Sequence, residues 1–91
     1  MRDAVKKSAA VRLIRIEGQV RGVARMIADD RYCIDVITQI KAMRAALKKV
    51  EDAILRDHIE HCVEHAITSG DAGEQRQKVA ELVQVLSQRT S

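Results

Sequence analysis

Apolar residues recur every three to four positions along most of the chain, which is the period of an α-helix. In the first segment one apolar stripe consists of Leu13, Ile16, Val20, Val23 and Ile27. This stripe predicts a helix over about residues 6–28. Asp29 or Asp30 is then expected to cap the next helix, because a short acidic side chain accepts hydrogen bonds from free helical N–H groups.

The second periodic segment is longer and keeps a heptad spacing of alternating four- and three-residue steps. Its apolar positions are Val36, Ile40, Met43, Leu47, Val50 and Ile54. The pattern predicts a helix over 31–68, ended by Ser69 and by Gly70 as the left-handed residue. Such a helix is more than roughly 50 Å long at 1.5 Å per residue. Neither flanking helix can cover its whole apolar seam, so we expect at least an antiparallel dimer.

A third helix is predicted over residues 72–88. Asp71 and Glu74 have the spacing of an N-cap residue and its partner three positions later. The absence of Pro and the presence of only four Gly agree with long helices rather than with a turn-rich β fold. The expected fold is therefore all-α, a single domain over 1–91 with three helices and one long central helix.

Composition limits what this domain can be. The chain has 91 residues, no Phe, no Trp and one Tyr, so its core is small and a second chain is expected to complete it. Two Cys do not make a disulfide framework, and no apolar run is long enough to cross a bilayer. The first ten residues have no apolar core of a secretory signal. These features favour a cytoplasmic protein with reduced thiols and no membrane association.

Three side chains have the chemistry and spacing of a shared metal site. His58 and Cys62 are four residues apart, on one face of the long helix. Cys33 lies 25 residues before His58, or roughly 37 Å along the axis, yet points almost the same way at 100° per residue. An antiparallel partner would bring its Cys33 beside this pair and create two equivalent sites, each spanning two chains.

Two thiolates and one imidazole form a soft donor set that selects Cu(I) or Zn(II) over hard cations, and Cu(I) is satisfied by three ligands. Two buried structural thiols and a surface His would give the same composition. His61 and His65 leave a nitrogen-richer site for Ni(II) or Zn(II) open, although solvated histidines are the simpler interpretation. A Cys–His pair without an oxyanion hole or an orienting group does not indicate an enzyme.

Basic residues are concentrated on the first two helices. The candidate DNA-contacting residues are Arg12, Arg15, Arg21, Arg25, Lys48 and Lys49. The arginines of the first helix are expected opposite its apolar stripe, around Gly18 and Gly22. A dimer would double this surface and suit it to the phosphates of double-stranded DNA. A solvated charged face is the alternative, since the net charge is only +3 and no helix-turn-helix or zinc-finger spacing is present.

Three motifs together resemble the CsoR/RcnR family of bacterial metal-sensing repressors. RLIRIEGQVRGVARMI (12–27) is similar to the family's first-helix signature, and YCIDVITQI (32–40) and the His58/Cys62 pair are similar to its ligand segments. The resemblance covers about residues 8–88. It implies a three-helix protomer, a dimer of dimers that binds operator DNA, and an inducer that weakens DNA binding and releases an efflux or detoxification gene.

The ligand positions imply the copper-sensing branch, with Cu(I) bound by Cys33, His58 and Cys62. Tyr32 and Glu81 match residues that surround the ligands in that branch. Arg12 and Lys49 fall where the family places DNA-contacting residues. A nickel-responsive subgroup shares the Cys, His, Cys set and stays open. Persulfide- and formaldehyde-sensing branches depart further, because the first lacks the His and the second lacks Cys62 and needs a Pro at position 2.

Overall fold

The computed structural model describes residues 1–89, which are helical apart from short connections and contain no strand. In chain order the elements are α1 (Asp3–Ala28), α2 (Cys33–Asp57), a π-helical segment (His58–Val63), α3 (Glu64–Ser69) and α4 (Ala72–Arg89). The predicted all-α fold is confirmed. The predicted long helix consists of α2, the π-segment and α3, which follow one another with right-handed helical backbone at Asp57 and Val63.

The contacts divide the chain into two compact units, an N-terminal unit formed by Met1–Leu55 and a C-terminal unit that begins at Arg56. In the N-terminal unit the buried residues of α1 recur at intervals of seven, at Ala9, Ile16 and Val23. Ala9 and Ile16 form a core cluster with Val50 of α2, and Ala46 and Ile54 pack against it. The start of α1 therefore lies beside the end of α2, and the two helices form an antiparallel hairpin.

Only part of each predicted apolar stripe is buried in this hairpin. Ile16, Val23, Val36 and Val50 are less than a tenth exposed. The intervening apolar positions stay more than a third exposed, at Leu13, Val20, Ile27, Ile40 and Leu47. The buried apolar residues thus make the contacts within the hairpin. The exposed apolar residues between them form a second apolar surface on both helices.

The turn between α1 and α2 differs from the prediction. Asp29 is the C-cap of α1, and Asp30 has a left-handed backbone with φ of 53°. The Asp30 N–H donates to the Ile27 carbonyl (3.1 Å) and the Arg31 N–H to the Met26 carbonyl (2.9 Å), which is a Schellman motif. The prediction that Asp29 or Asp30 caps the second helix is wrong, because both residues close the first.

The end of α3 and the start of α4 follow the sequence pattern. Gly70 is left-handed with φ of 75°, as predicted. The Asp71 carboxylate accepts hydrogen bonds from the N–H groups of Gly73 (2.9 Å) and Glu74 (3.2 Å), so Asp71 caps α4. The Asp71 N–H donates to Ser69 Oγ (3.2 Å), and not to the Glu74 side chain that a complete capping box would use.

In the C-terminal unit α4 packs against both the π-segment and α3. Ala66 of α3 is fully buried. Along the described part of the chain, no helix has the length and hydrophobicity that a membrane span requires.

Candidate metal and nucleic-acid sites

Cys33 is the first residue of α2 and is exposed. The helix starts there because the carbonyl of Tyr32 accepts hydrogen bonds from the N–H groups of Asp35 (3.0 Å) and Val36 (3.2 Å). Tyr32 is therefore the N-terminal boundary residue of α2, and its side chain is 66% exposed. A thiol held on the first turn of a helix is rigidly placed, yet remains open to a ligand or a second chain.

His58 and Cys62 both lie in the π-segment, and both are half-buried. The Glu64 N–H that ends this segment donates to the carbonyls of Ile59 and His61, and the bond to Ile59 spans five residues. A π-turn widens the helix by an extra residue and is found disproportionately at functional sites. The imidazole and the thiol lie four residues apart in this segment, which packs against α4.

Within one chain the predicted ligands are not gathered into a complete set. Among residues 1–89 no three His, Cys, Asp or Glu side chains form a group able to hold a metal ion. Cys33 belongs to the N-terminal unit, and His58 and Cys62 belong to the C-terminal unit. Both thiols are free rather than paired in a disulfide. A half-buried imidazole–thiol pair plus an exposed thiol fits a soft ion such as Cu(I), provided that the third ligand comes from another protomer.

Glu81, the other residue expected near the ligands, is half-buried on α4. Its carboxylate lies 3.6 Å from Lys78 Nζ and accepts a long hydrogen bond from Gln77 Nε2 (3.4 Å). In this structure Glu81 is thus paired along its own helix. Since α4 packs against the π-segment, Glu81 belongs to the helix that borders His58 and Cys62.

All six candidate DNA-contacting residues are exposed and belong to the N-terminal unit. Arg12 departs from the expected position opposite the apolar stripe. It lines a shallow groove with Ala9 of α1 and with Val50 and Ala53 of α2, so it flanks the packed face of the hairpin. The basic residues are therefore spread over both helices, with Arg12 at the edge of the α1–α2 contact and Lys48 and Lys49 on α2.

Arg21 has an intramolecular partner that the sequence analysis missed. Its Nη1 donates to Glu17 Oε1 at 2.8 Å, and both side chains are about two-thirds exposed. A Cβ added at Gly18 would lie 3.9 Å from Arg21 Nη2, so the guanidinium extends back over this glycine. The four-residue spacing of Glu17 and Arg21 was the available signal. Gly22 has open space around it, which leaves the middle of the outer face accessible.

Asp57 was also missed. It is the one buried charged or polar residue of the described chain, at 2% exposure, and it directly precedes the π-segment. Its Oδ1 lies 3.9 Å from His61 Nε2. Nothing in the hydrophobic pattern distinguishes Asp57 from exposed acids nearby, such as Glu51 and Asp52.

Comparison with known proteins identifies one family over almost the whole chain. The family described as metal-sensitive transcriptional repressor matches residues 5–88. The copper-sensing transcriptional repressor CsoR of Bacillus subtilis is 52% identical over 79 residues, which are 87% of this chain and 75% of that protein.

Two solved structures are similar in fold. The crystal structure of the copper-sensing repressor CsoR with Cu(I) from Geobacillus thermodenitrificans NG80-2 has a TM-score of 0.90 and 42% identity, covering 100% of this chain and 92% of that one. The nickel-responsive transcriptional regulator InrS has a TM-score of 0.75 and 38% identity, covering 90% of this chain and 89% of that one. The copper-sensing structure is the closer of the two by every measure.

Proposed function

Because the chain belongs to the metal-sensitive transcriptional repressor family, we propose that it is a Cu(I)-responsive repressor of the cytoplasm. Without metal it binds operator double-stranded DNA. Cu(I) bound by Cys33 of one protomer and by His58 and Cys62 of another releases the DNA and derepresses a metal-efflux gene. The observation that carries this proposal is the half-buried His58–Cys62 pair in the π-segment, a partial soft-metal site in a chain 52% identical to a copper-sensing repressor.

The donor set accounts for the choice of Cu(I). Two thiolates and one imidazole suit a soft monovalent ion that is satisfied by three ligands, whereas Zn(II) usually takes a fourth. His58 and Cys62 supply two donors from one helical turn. The exposed Cys33 supplies the third across the protomer boundary.

The exposed apolar positions support the oligomer that this site requires. Ile40 and Leu47 lie near the middle of the predicted long helix and are 37% and 45% exposed. An antiparallel partner crossing there covers both residues and brings each Cys33 toward the other protomer's His58 and Cys62. Two such dimers form the proposed tetramer, with the remaining apolar residues of α1 and α4 at the contacts.

DNA binding is assigned to the basic residues of the N-terminal unit. Arg12, Arg15, Arg25 and Lys49 are exposed cations, and an oligomer multiplies them along one surface. Contacts of this kind neutralise phosphates and release counterions, so the affinity should fall steeply with salt. A log–log plot of affinity against salt that stays flat would contradict this assignment.

Release requires that metal binding and DNA binding have opposite preferences between two states of the oligomer. The coupling in such systems is typically about 1–3 kcal/mol, and it acts equally in both directions. Tyr32 adjoins Cys33 at the start of α2, and Glu81 lies on the helix that packs against the π-segment. We assign these two residues the role of linking the ligands to helix positions, with Glu81 exchanging its Lys78 partner when the site is filled.

A nickel-responsive repressor is the second candidate. It is favoured by the similarity to InrS and by the nitrogen donors His61 and His65 beside the proposed ligands. Thiol sensing on the same scaffold is a third, with Cys33 modified by an aldehyde or bridged to Cys62 through sulfur. A stable mass increase after exposure to formaldehyde or a persulfide, with loss of DNA binding, would favour it.

The deciding experiment is an anaerobic titration of Cu(I) into the reduced protein bound to its own promoter fragment, followed by fluorescence anisotropy. Release complete at about one Cu(I) per protomer is expected from the shared site. Release by Ni(II) but not by Cu(I) would transfer the function to nickel. A protein that fails to bind the promoter would contradict the repressor function itself.

A mixing experiment tests whether the site spans two protomers. Cys33→Ser and Cys62→Ser variants are each expected to bind Cu(I) poorly. A mixed antiparallel dimer retains one intact site, since one protomer supplies Cys33 and the other supplies His58 and Cys62. After subunit exchange about one site in four should recover. No recovery, in a mixture shown by mass spectrometry to have exchanged, would place all ligands on one chain.

A further inference from the structure

Asp57 is a carboxylate whose burial the copper ligands do not explain. It is 2% exposed, and its Oδ1 lies 3.9 Å from Nε2 of His61, a side chain that is 45% exposed. Burial of a charged group is costly unless nearby groups compensate it. The 3.9 Å separation is longer than a hydrogen bond, but a buried carboxylate at this distance favours the ring orientation that turns Nε2 toward it.

His65 lies four residues beyond His61, at the start of α3, and both side chains are exposed. Two histidines at this spacing on a helix form the chelating pair of many zinc sites. The run His61-Cys62-Val63-Glu64-His65 also has the His-x-x-Glu-His order of one class of zinc enzymes. The spacing allows two imidazole donors to share one ion.

Asp57 supplies the element that exposed histidine pairs usually lack. Histidines that ligate metals generally donate their second ring N–H to a carboxylate, which fixes the tautomer and increases the basicity of the ligand. With Nε2 facing Asp57, the Nδ1 atom of His61 is the nitrogen available to a cation.

We propose that His61 and His65 form a second metal site that binds a borderline divalent cation, Zn(II) or Ni(II), with Asp57 orienting His61. Neutral imidazoles favour such ions over soft Cu(I) and over hard Mg(II) or Ca(II). Because no group of three ligands exists among residues 1–89, water completes the coordination sphere and the cation exchanges readily. The site uses none of the thiols and does not depend on the proposed copper response.

The test is a Zn(II) titration of the full chain against a chromophoric chelator, in two forms that keep thiols out of the measurement. One form is the Cys33→Ser/Cys62→Ser variant, which needs no assumption about Cu(I). The other is the reduced wild-type chain loaded with Cu(I). In both, one Zn(II) per protomer is expected. His65→Gln should weaken this binding at least tenfold, as should Asp57→Asn, since loss of such a carboxylate typically costs 10–100-fold in affinity.

Glu64→Gln is the matched control, because it removes a charge between the two histidines but no imidazole, and its Zn(II) affinity should stay within about threefold. His65 is exposed, so its substitution leaves folding intact. Asp57→Asn is compared only if circular dichroism shows unchanged helicity. Equal Zn(II) affinity in His65→Gln and its thiol-free parent would overturn the proposal. So would a thiol-free chain that binds no Zn(II), whether or not Cu(I) releases the wild-type protein from DNA.

Discussion

The two units of the chain contrast in how their residues are used. The N-terminal unit is a regular α-helical hairpin whose buried residues are all apolar and recur every seven positions on α1. The C-terminal unit contains a π-segment, a buried carboxylate and two of the three proposed copper ligands. The regularly packed unit carries the cations proposed to contact DNA, whereas the irregular backbone lies where metal chemistry is proposed. Affinity for DNA and response to metal should therefore be separable by mutation.

The largest expected effect is loss of the metal response in Cys62→Ser. Removal of one of two thiolates from a three-ligand site should abolish Cu(I)-induced release, so the coupling of about 1–3 kcal/mol disappears. Apo DNA affinity should change less than about threefold, because the proposed phosphate contacts are all in the N-terminal unit. Anisotropy with and without Cu(I) measures both quantities. Val63→Ala changes a half-buried neighbour that is not a ligand, so this variant should still release DNA when Cu(I) is added. If it also fails to release DNA, the effect of Cys62→Ser is due to altered packing.

The next effect is on stability and compares two isoleucines on one helix. Ile16 is 6% exposed within the hairpin core, and Ile14 is 66% exposed. Ile16→Ala should lower the free energy of unfolding by about 2–5 kcal/mol, from lost burial and the cavity that remains. Ile14→Ala should cost less than about 0.5 kcal/mol. Urea unfolding at a fixed protein concentration measures the free energy of unfolding of both variants. Equal losses in the two variants would contradict a core formed within one chain.

Substitutions at two left-handed helix ends, one in each unit, should change the stability in opposite directions. Gly70→Ala places a β-carbon at φ of 75° and should destabilise the C-terminal unit by about 1–2 kcal/mol. Asp30→Gly relieves the same conflict at φ of 53° and should stabilise the protein by about 0.5–1 kcal/mol. Thermal unfolding followed by circular dichroism gives both signs. A loss of stability in Asp30→Gly would show that its side chain contributes more than its backbone costs.

These helix ends also show which features the sequence could predict. The seven-residue repeat of Ile16 and Val23 and the left-handed Gly70 follow from hydrophobic period and glycine geometry, so the helices and one turn were predictable. The N-cap prediction for Asp29 or Asp30 is wrong, because an acidic residue between two helices fits both the N-cap pattern and a Schellman turn. The hydrogen bonds decide between these, and composition does not.

The sequence predicts which residue types could form the candidate metal site better than it predicts the backbone and the burial around them. Cys33, His58 and Cys62 have the spacing of a shared soft-metal site, and that assignment stays a prediction. The π-segment and the burial of Asp57 gave no signal in the sequence, since the apolar steps through Ile59, Val63 and Ile67 are those of an ordinary α-helix. A helical wheel of one segment contains neither a change of helix type nor the contacts between segments, such as that of α4 with the π-segment.

The smallest expected effect concerns Glu17, which holds Arg21 at 2.8 Å on the outer face of α1. An exposed ion pair of this kind contributes about 0.2–1 kcal/mol, so Glu17 competes with phosphate for the guanidinium only modestly. Glu17→Gln should raise apo DNA affinity about two- to fivefold at low salt, and the gain should shrink as salt screens the contact. Glu51→Gln changes the net charge equally on α2, so it controls for a general increase in attraction to DNA.

A double variant tests whether Glu17 acts through Arg21. In an Arg21→Gln background the Glu17 substitution should have no more effect on DNA affinity than the Glu51 control. An equal gain in both backgrounds would show that Glu17 repels the phosphates directly, and Cu(I) binding to the free protein should be unchanged throughout.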